Sequence, residues 1–243
     1  MLLRRVTEHI KKQNWFAVWI DLIIVVVGVF IGIQVANWNE ARTNKAGLQA
    51  SLERLDKEVL LNIEMIDSVL VLFDEGRPDL DQGRAALNDC AYSPEGQAAL
   101  ERLLFYLVED VQPNFVSVAL DQLASQVRYQ DLLSAQFQQD FGLYAGRLKE
   151  EHEQLTSHYK QMWSHHINYH PDVSAYFGKD SDGYEDWGFK LDKPFADICT
   201  DASFRNRFIN SIGFYTSINN RLAEFKVEAE QFRDALEQEL DRD

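Results

Sequence analysis

The chain has 243 residues, of which 46% are hydrophobic and 26% charged. That is the composition of an ordered protein, with room for a membrane segment and one domain of about 200 residues. Charge is split: residues 1–38 hold four Lys/Arg against two acids, and residues 39–243 hold 20 against 37, a net of −17. So acidic a domain repels nucleic acid and anionic lipid, which makes both poor partners for it.

The chain opens with a short basic tail, residues 1–14, "MLLRRVTEHIKKQN". Leu2, Leu3, Val6 and Ile10 share one side of it, which suits a short amphipathic helix on an inner membrane surface.

Residues 15–38 follow as a predicted transmembrane helix. Its strongly polar residues are Asp21, Gln34 and Asn37, and Trp15, Trp19 and Trp38 lie near its ends, where indole rings prefer the interface. At 1.5 Å per residue the span reaches roughly 36 Å, enough for a hydrocarbon core of about 30 Å. A secretory signal peptide is a poor fit, because the apolar run is too long and no small-x-small cleavage site follows. Basic residues lie on both sides of the span. The tail is short and basic, however, and a large following domain translocates largely regardless of charge. The expected topology puts the N-terminus in the cytoplasm and residues 39–243 in the periplasm.

Helical periodicity places Asp21, Gly28 and Gly32 on one face of that span. The Gly28–Gly32 pair is a G-x-x-x-G spacing, which lets two helix backbones approach, and an ionisable group on the same face would point into such an interface. Two readings stand: a self-associating membrane helix with Asp21 as a shared polar contact, or a span beginning at Leu22 with Asp21 among the headgroups.

The run "NWFAVWIDLIIVVVGVFIGIQVANWNE" resembles the opening of a bacterial family of single-pass membrane proteins built on an uncharacterised domain. The likeness extends to "NFVSVALDQLASQVRYQDLLSAQFQQDFGLY" and "FADICTDASFRNRF". The chain departs from the family pattern at Gln126, where a glycine is usual, and at Phe141–Tyr144, where adjacent tyrosines are usual. The resemblance implies an anchored, mostly helical extracytoplasmic domain. It brings no activity and no catalytic residues.

Beyond the membrane the expected fold is all-α: an elongated bundle with three long helices and several short ones. The first long helix is read over 44–73, ended by "EGRP". The second covers 130–169 and the third 201–240, with Thr200 or Asp201 as its N-cap. The third has the clearest stripe: Phe204, Phe208, Ser211, Tyr215, Ile218, Leu222, Phe225, Ala229, Phe232 and Leu236 recur at three-and-four spacing. Short helices fit 79–89, 95–109 and 115–127. Residues 172–194 read as one long irregular acidic and aromatic connection.

Candidate chemistry is sparse. Five of six histidines lie between 152 and 170. His158 and His165 fall on the apolar stripe with Glu151, seven residues apart and too far to share an ion. His166 and His170, at i and i+4, suit one metal ion but lack the glutamate of an H-E-x-x-H pair. Asp180, Asp182 and Asp186 offer a loose cation site, although the spacing fails the EF-hand pattern. No cofactor and no catalytic motif is read. Cys90 and Cys199 sit in loop-like contexts where a bridge would form outside the cytoplasm, and spacing leaves their pairing open.

Three functional readings follow. The first is an anchored interaction or scaffold protein of the bacterial envelope, a homo-oligomer or a partner of other envelope proteins, and not an enzyme. The second is an extracytoplasmic ligand-sensing domain working through a partner subunit, since a 14-residue tail holds no output domain. The third is a metal-dependent enzyme using the 152–170 histidines.

Overall fold

The computed structural model describes residues 15–108, 113–179 and 185–242. The fold is mostly helical. In chain order the elements are α1 (Trp15–Asp89), α2 (Pro94–Val108), α3 (Val118–Ser125), α4 (Val127–Gln130), α5 (Ala135–His165), a 3-10 turn (Ile167–Tyr169), β1 (Val173–Lys179), β2 (Glu185–Leu191), α6 (Phe195–Thr200) and α7 (Ala202–Leu240). The chain divides into two compact units, Met1–Ala50 and Ser51–Asp243. The basic tail lies outside the described residues.

In the first unit, α1 carries the apolar run. An 18-residue window there has a mean hydropathy of 2.5 and none of it is buried, so by length and composition the helix can cross a membrane. A Cβ placed on Gly28 or Gly32 meets nothing within 4 Å. Asp21 is exposed on the same helix. Among the described residues, the face holding all three is open.

In the second unit, two expectations need correction. "EGRP" does not end a helix: α1 continues through Pro78 to Asp89. Proline lacks the N–H that would bond Asp74, a loss that normally kinks or stops a helix. Here packing outweighs it. Phe73 and Gly76 are buried, and a Cβ on Gly76 would come within 3.0 Å of the Tyr215 hydroxyl and 3.2 Å of the Tyr106 ring. Tyr215 also donates to the Phe73 carbonyl at 3.4 Å. The helix stops instead at Cys90, whose φ of 51° puts it in the left-handed region usual for a residue just past a helix end.

The all-α expectation also fails at 172–194. That stretch forms an antiparallel hairpin, with Val173 opposite Leu191, Ala175 opposite Phe189 and Phe177 opposite Trp187. Side chains alternate across a strand, so these six share one face. At the base, Val173 and Phe189 enter the core; further along, Phe177 is 85% exposed. The core at this end joins leucines of α2 to Ile167, Phe195, Ile198, Phe204 and Phe208.

α7 buries the predicted stripe, with Tyr215 half-buried and the other nine members buried. It packs along α5, where Tyr144 stacks on Phe232 at 4.3 Å and on Phe225 at 6.0 Å. Buried polar groups pin the segment between α2 and α5. Ser117 is the N-cap of α3, but its hydroxyl donates to Asp121 at 3.0 Å and takes no helix N–H. Glu58 of α1 supplies the missing acceptors, taking the N–H groups of Ala119 at 2.6 Å and Leu120 at 3.0 Å. Asn62 donates to the Val116 carbonyl at 2.8 Å and accepts its N–H at 2.9 Å. Glu239 accepts from the Ser134 N–H and hydroxyl at 3.0 and 2.6 Å, while that hydroxyl caps α5. Glu151, fully buried, is neutralised by Arg147 at 3.0 Å and Arg221 at 2.9 Å.

Candidate functional site

Polar side chains converge at the base of the hairpin, where the chain enters β1 and leaves β2. α5 ends at His165 and His166 has extended backbone, so His166 and His170 do not share a helix. The i, i+4 spacing that would bring them to one ion therefore has no helical basis. Each ring has its own surroundings. His166 is buried, with Nε2 donating to the Leu107 carbonyl at 2.7 Å and Nδ1 2.6 Å from the side-chain oxygen Oδ1 of Asn168. It locks the end of α2 to the 3-10 turn.

Burial lowers the His166 pKa from its ordinary 6.5, against the opposing pull of its bonds to Asn168 and Leu107. The native ring thus stays neutral where the unfolded ring already takes up a proton. No penalty is felt above about pH 7; stability falls as the pH drops through about 6.5 and the fall levels off once the native ring protonates. We expect the thermal midpoint to fall more steeply between about pH 7.5 and 5 in the wild type than in His166→Gln. Parallel slopes would remove this group from the pH response.

His170 is 4% exposed and packs edge-on against Phe204, with ring centroids 5.3 Å apart. One ring nitrogen of His170 and one carboxylate oxygen each of Asp172 and Asp201 lie within 4.8 Å of one another. Nδ1 accepts the Asp172 N–H at 3.3 Å and stands 3.8 Å from Asp172 Oδ2. Asp201 is the N-cap of α7 and takes the N–H groups of Ser203 and Phe204 on Oδ1, at 2.7 and 3.1 Å. Those bonds, Phe204 foremost, hold its carboxyl below the ordinary carboxylate range, and the charge of Lys193 adds to the effect. Lys193, in the turn after β2, places its ammonium 2.9 Å from both oxygens of Asp172. Its pKa is raised, chiefly by the bond to Asp172 and further by the charges of Asp172, Asp201 and Asp197.

The site abuts a covalent tie. Cys90 and Cys199 form a disulfide with their Cα atoms 5.5 Å apart. Arg205 donates from Nη1 to the carbonyls of Leu87 and Cys199, 3.1 Å each, so one guanidinium holds the backbone on both sides of the bridge. The chain matches no protein-family model, no curated protein and no solved structure.

Of the other sequence candidates, Asp180 and Asp182 lie outside the described residues. Asp186 falls within β2, opposite Gly178, a strand position rather than a loop one. Asp172 and Lys193 were missed as site residues and Asp201 was read only as a cap. The available signal was His170-x-Asp172, two residues apart; Asp201 arrives because the hairpin and α6 return the chain to its starting point.

Proposed function

We propose that this chain is a single-pass protein of a bacterial inner membrane that holds a helical-bundle interaction domain in the periplasm and associates with copies of itself or with other envelope proteins. The observation that carries the reading is the run in α1 from Val18 to Trp38, exposed throughout and apolar except at Asp21, Gln34 and Asn37. Water disfavours such a surface, and a bilayer core removes the cost. The disulfide supports a periplasmic domain, because bridges persist in oxidising compartments and are rare in the bacterial cytoplasm. The open Gly28–Gly32 face supports self-association through the membrane helix.

The test is a reporter fused after Asp243. One that works only outside the cytoplasm is expected to be active, and a cytoplasmic reporter inactive. The reverse pattern, with two titratable thiols in the denatured protein, would place the domain inside and overturn the reading. Cross-linking in native membranes should capture a dimer or higher species that Gly28→Leu with Gly32→Leu weakens. A strict monomer would remove self-association.

A further inference from the structure

We propose that His170, Asp172 and Asp201 form a binding site for a divalent transition-metal ion of the zinc class, with Lys193 as a displaceable cation that occupies the carboxylates when the metal is absent. The inference is independent of the membrane reading and holds on either side of a bilayer.

The first argument is geometric. The Asp172 N–H lies 3.3 Å from His170 Nδ1, which accepts it in the Nε2–H tautomer. The same Nδ1 stands 3.8 Å from Asp172 Oδ2. One ring nitrogen of His170 and one carboxylate oxygen each of Asp172 and Asp201 converge within 4.8 Å of one another. Ligands at about 2.0–2.2 Å from a common ion are at most about 4.4 Å apart. Rotation of the Asp172 carboxylate about its broad terminal torsion can close the remaining gap.

The second argument is preorganisation. His170 is buried and its ring is set against Phe204. Both N–H bonds to Asp201 fall on Oδ1, which fixes that carboxylate and leaves Oδ2 as a ligand atom. Outer contacts of this kind orient metal ligands. The disulfide two residues before Asp201 fixes the backbone that delivers it.

The third is charge. Lys193 brings one positive charge to three nearby carboxylates, Asp172, Asp197 and Asp201, so the cluster retains an excess of negative charge. The Lys193 side chain is 53% exposed and can swing into water, leaving the Asp172 carboxylate to a metal ion. One imidazole with two carboxylates suits zinc, cobalt or manganese. Calcium and magnesium, which prefer oxygen ligands alone, are disfavoured.

The experiment uses the full chain in detergent, purified without chelator and stripped of metal, and titrated with Co²⁺ and then Zn²⁺. We expect one Co²⁺ per chain with a visible d–d absorption that Zn²⁺ abolishes and Ca²⁺ does not. His170→Ala should abolish the absorption. Asp201→Asn retains a good N-cap and the fold, yet should weaken binding by on the order of tenfold or more. Lys193→Met removes the competing ammonium and should bind several-fold more tightly, a gain that misfolding cannot mimic. Wild-type protein with no specific absorption, or His170→Ala and Asp201→Asn binding like the wild type, would overturn the site. Lys193→Met binding no more tightly would overturn the displaceable role of the lysine.

Discussion

Replacing Cys90 with Ser and Cys199 with Ala should lower the thermal midpoint of the full chain by about 6–20 °C. The bridge joins residues 109 apart, and a cross-link closing a loop of that size is worth about 3–5 kcal/mol through the entropy it removes from the unfolded chain. For a domain of 150–250 residues each kcal/mol moves the midpoint by about 2–4 °C. Alanine is chosen at 199 because Cys199 is 1% exposed among apolar neighbours, where a serine hydroxyl would add its own desolvation cost. Serine is tolerable at 90, which is exposed. A reductant added to the wild type should reproduce the loss. A double variant melting within about 2 °C of the wild type would show that the bridge constrains little.

Phe225→Ala should cost about 3–5 kcal/mol, the usual range for emptying a fully buried aromatic site. Its ring is fully buried, edge-on to Phe115 at 5.4 Å and stacked on Tyr144 at 6.0 Å. The loss would also free Phe115, whose neighbour Val116 is held by Asn62, so the segment entering α3 should loosen with it. Val227, two residues on, is 51% exposed, and Val227→Ala should stay within about 0.5 kcal/mol. Chemical denaturation of both variants checks the pair; equal losses would contradict the assigned core face of α7.

Periodicity made α7 readable residue by residue, because an amphipathic helix against one partner repeats its buried face every three or four positions. α5 followed the same rule through Phe137, Tyr144, Leu148, Glu151 and Leu155. Even the charged member of that stripe is buried, since two arginines reach it. Pro78 misled for the opposite reason: its local cost is fixed by chemistry, but the packing of Gly76 against two tyrosines is a tertiary fact. The hairpin was visible in principle. Val173, Ala175 and Phe177 alternate with Ser174, Tyr176 and Gly178, and Trp187, Phe189 and Leu191 with Gly188 and Lys190. Their aromatic and acidic neighbours, and three glycines, masked that period-two signal. The site had the least signal of all, because Asp201 meets His170 only after the chain has turned through the hairpin and α6.

The bridge turns residues 90 to 199 into a closed ring. A protease that cuts once anywhere inside that ring, in the hairpin or between α2 and α3, therefore liberates nothing. The piece carrying the apolar run of α1 keeps Cys90, the piece carrying α7 keeps Cys199, and the two travel as one species until a reductant parts them. A cut before Cys90 or after Cys199 has no such insurance and leaves a fragment held by packing alone. Nicked protein would thus look intact on a non-reducing gel and resolve into two bands only under reduction.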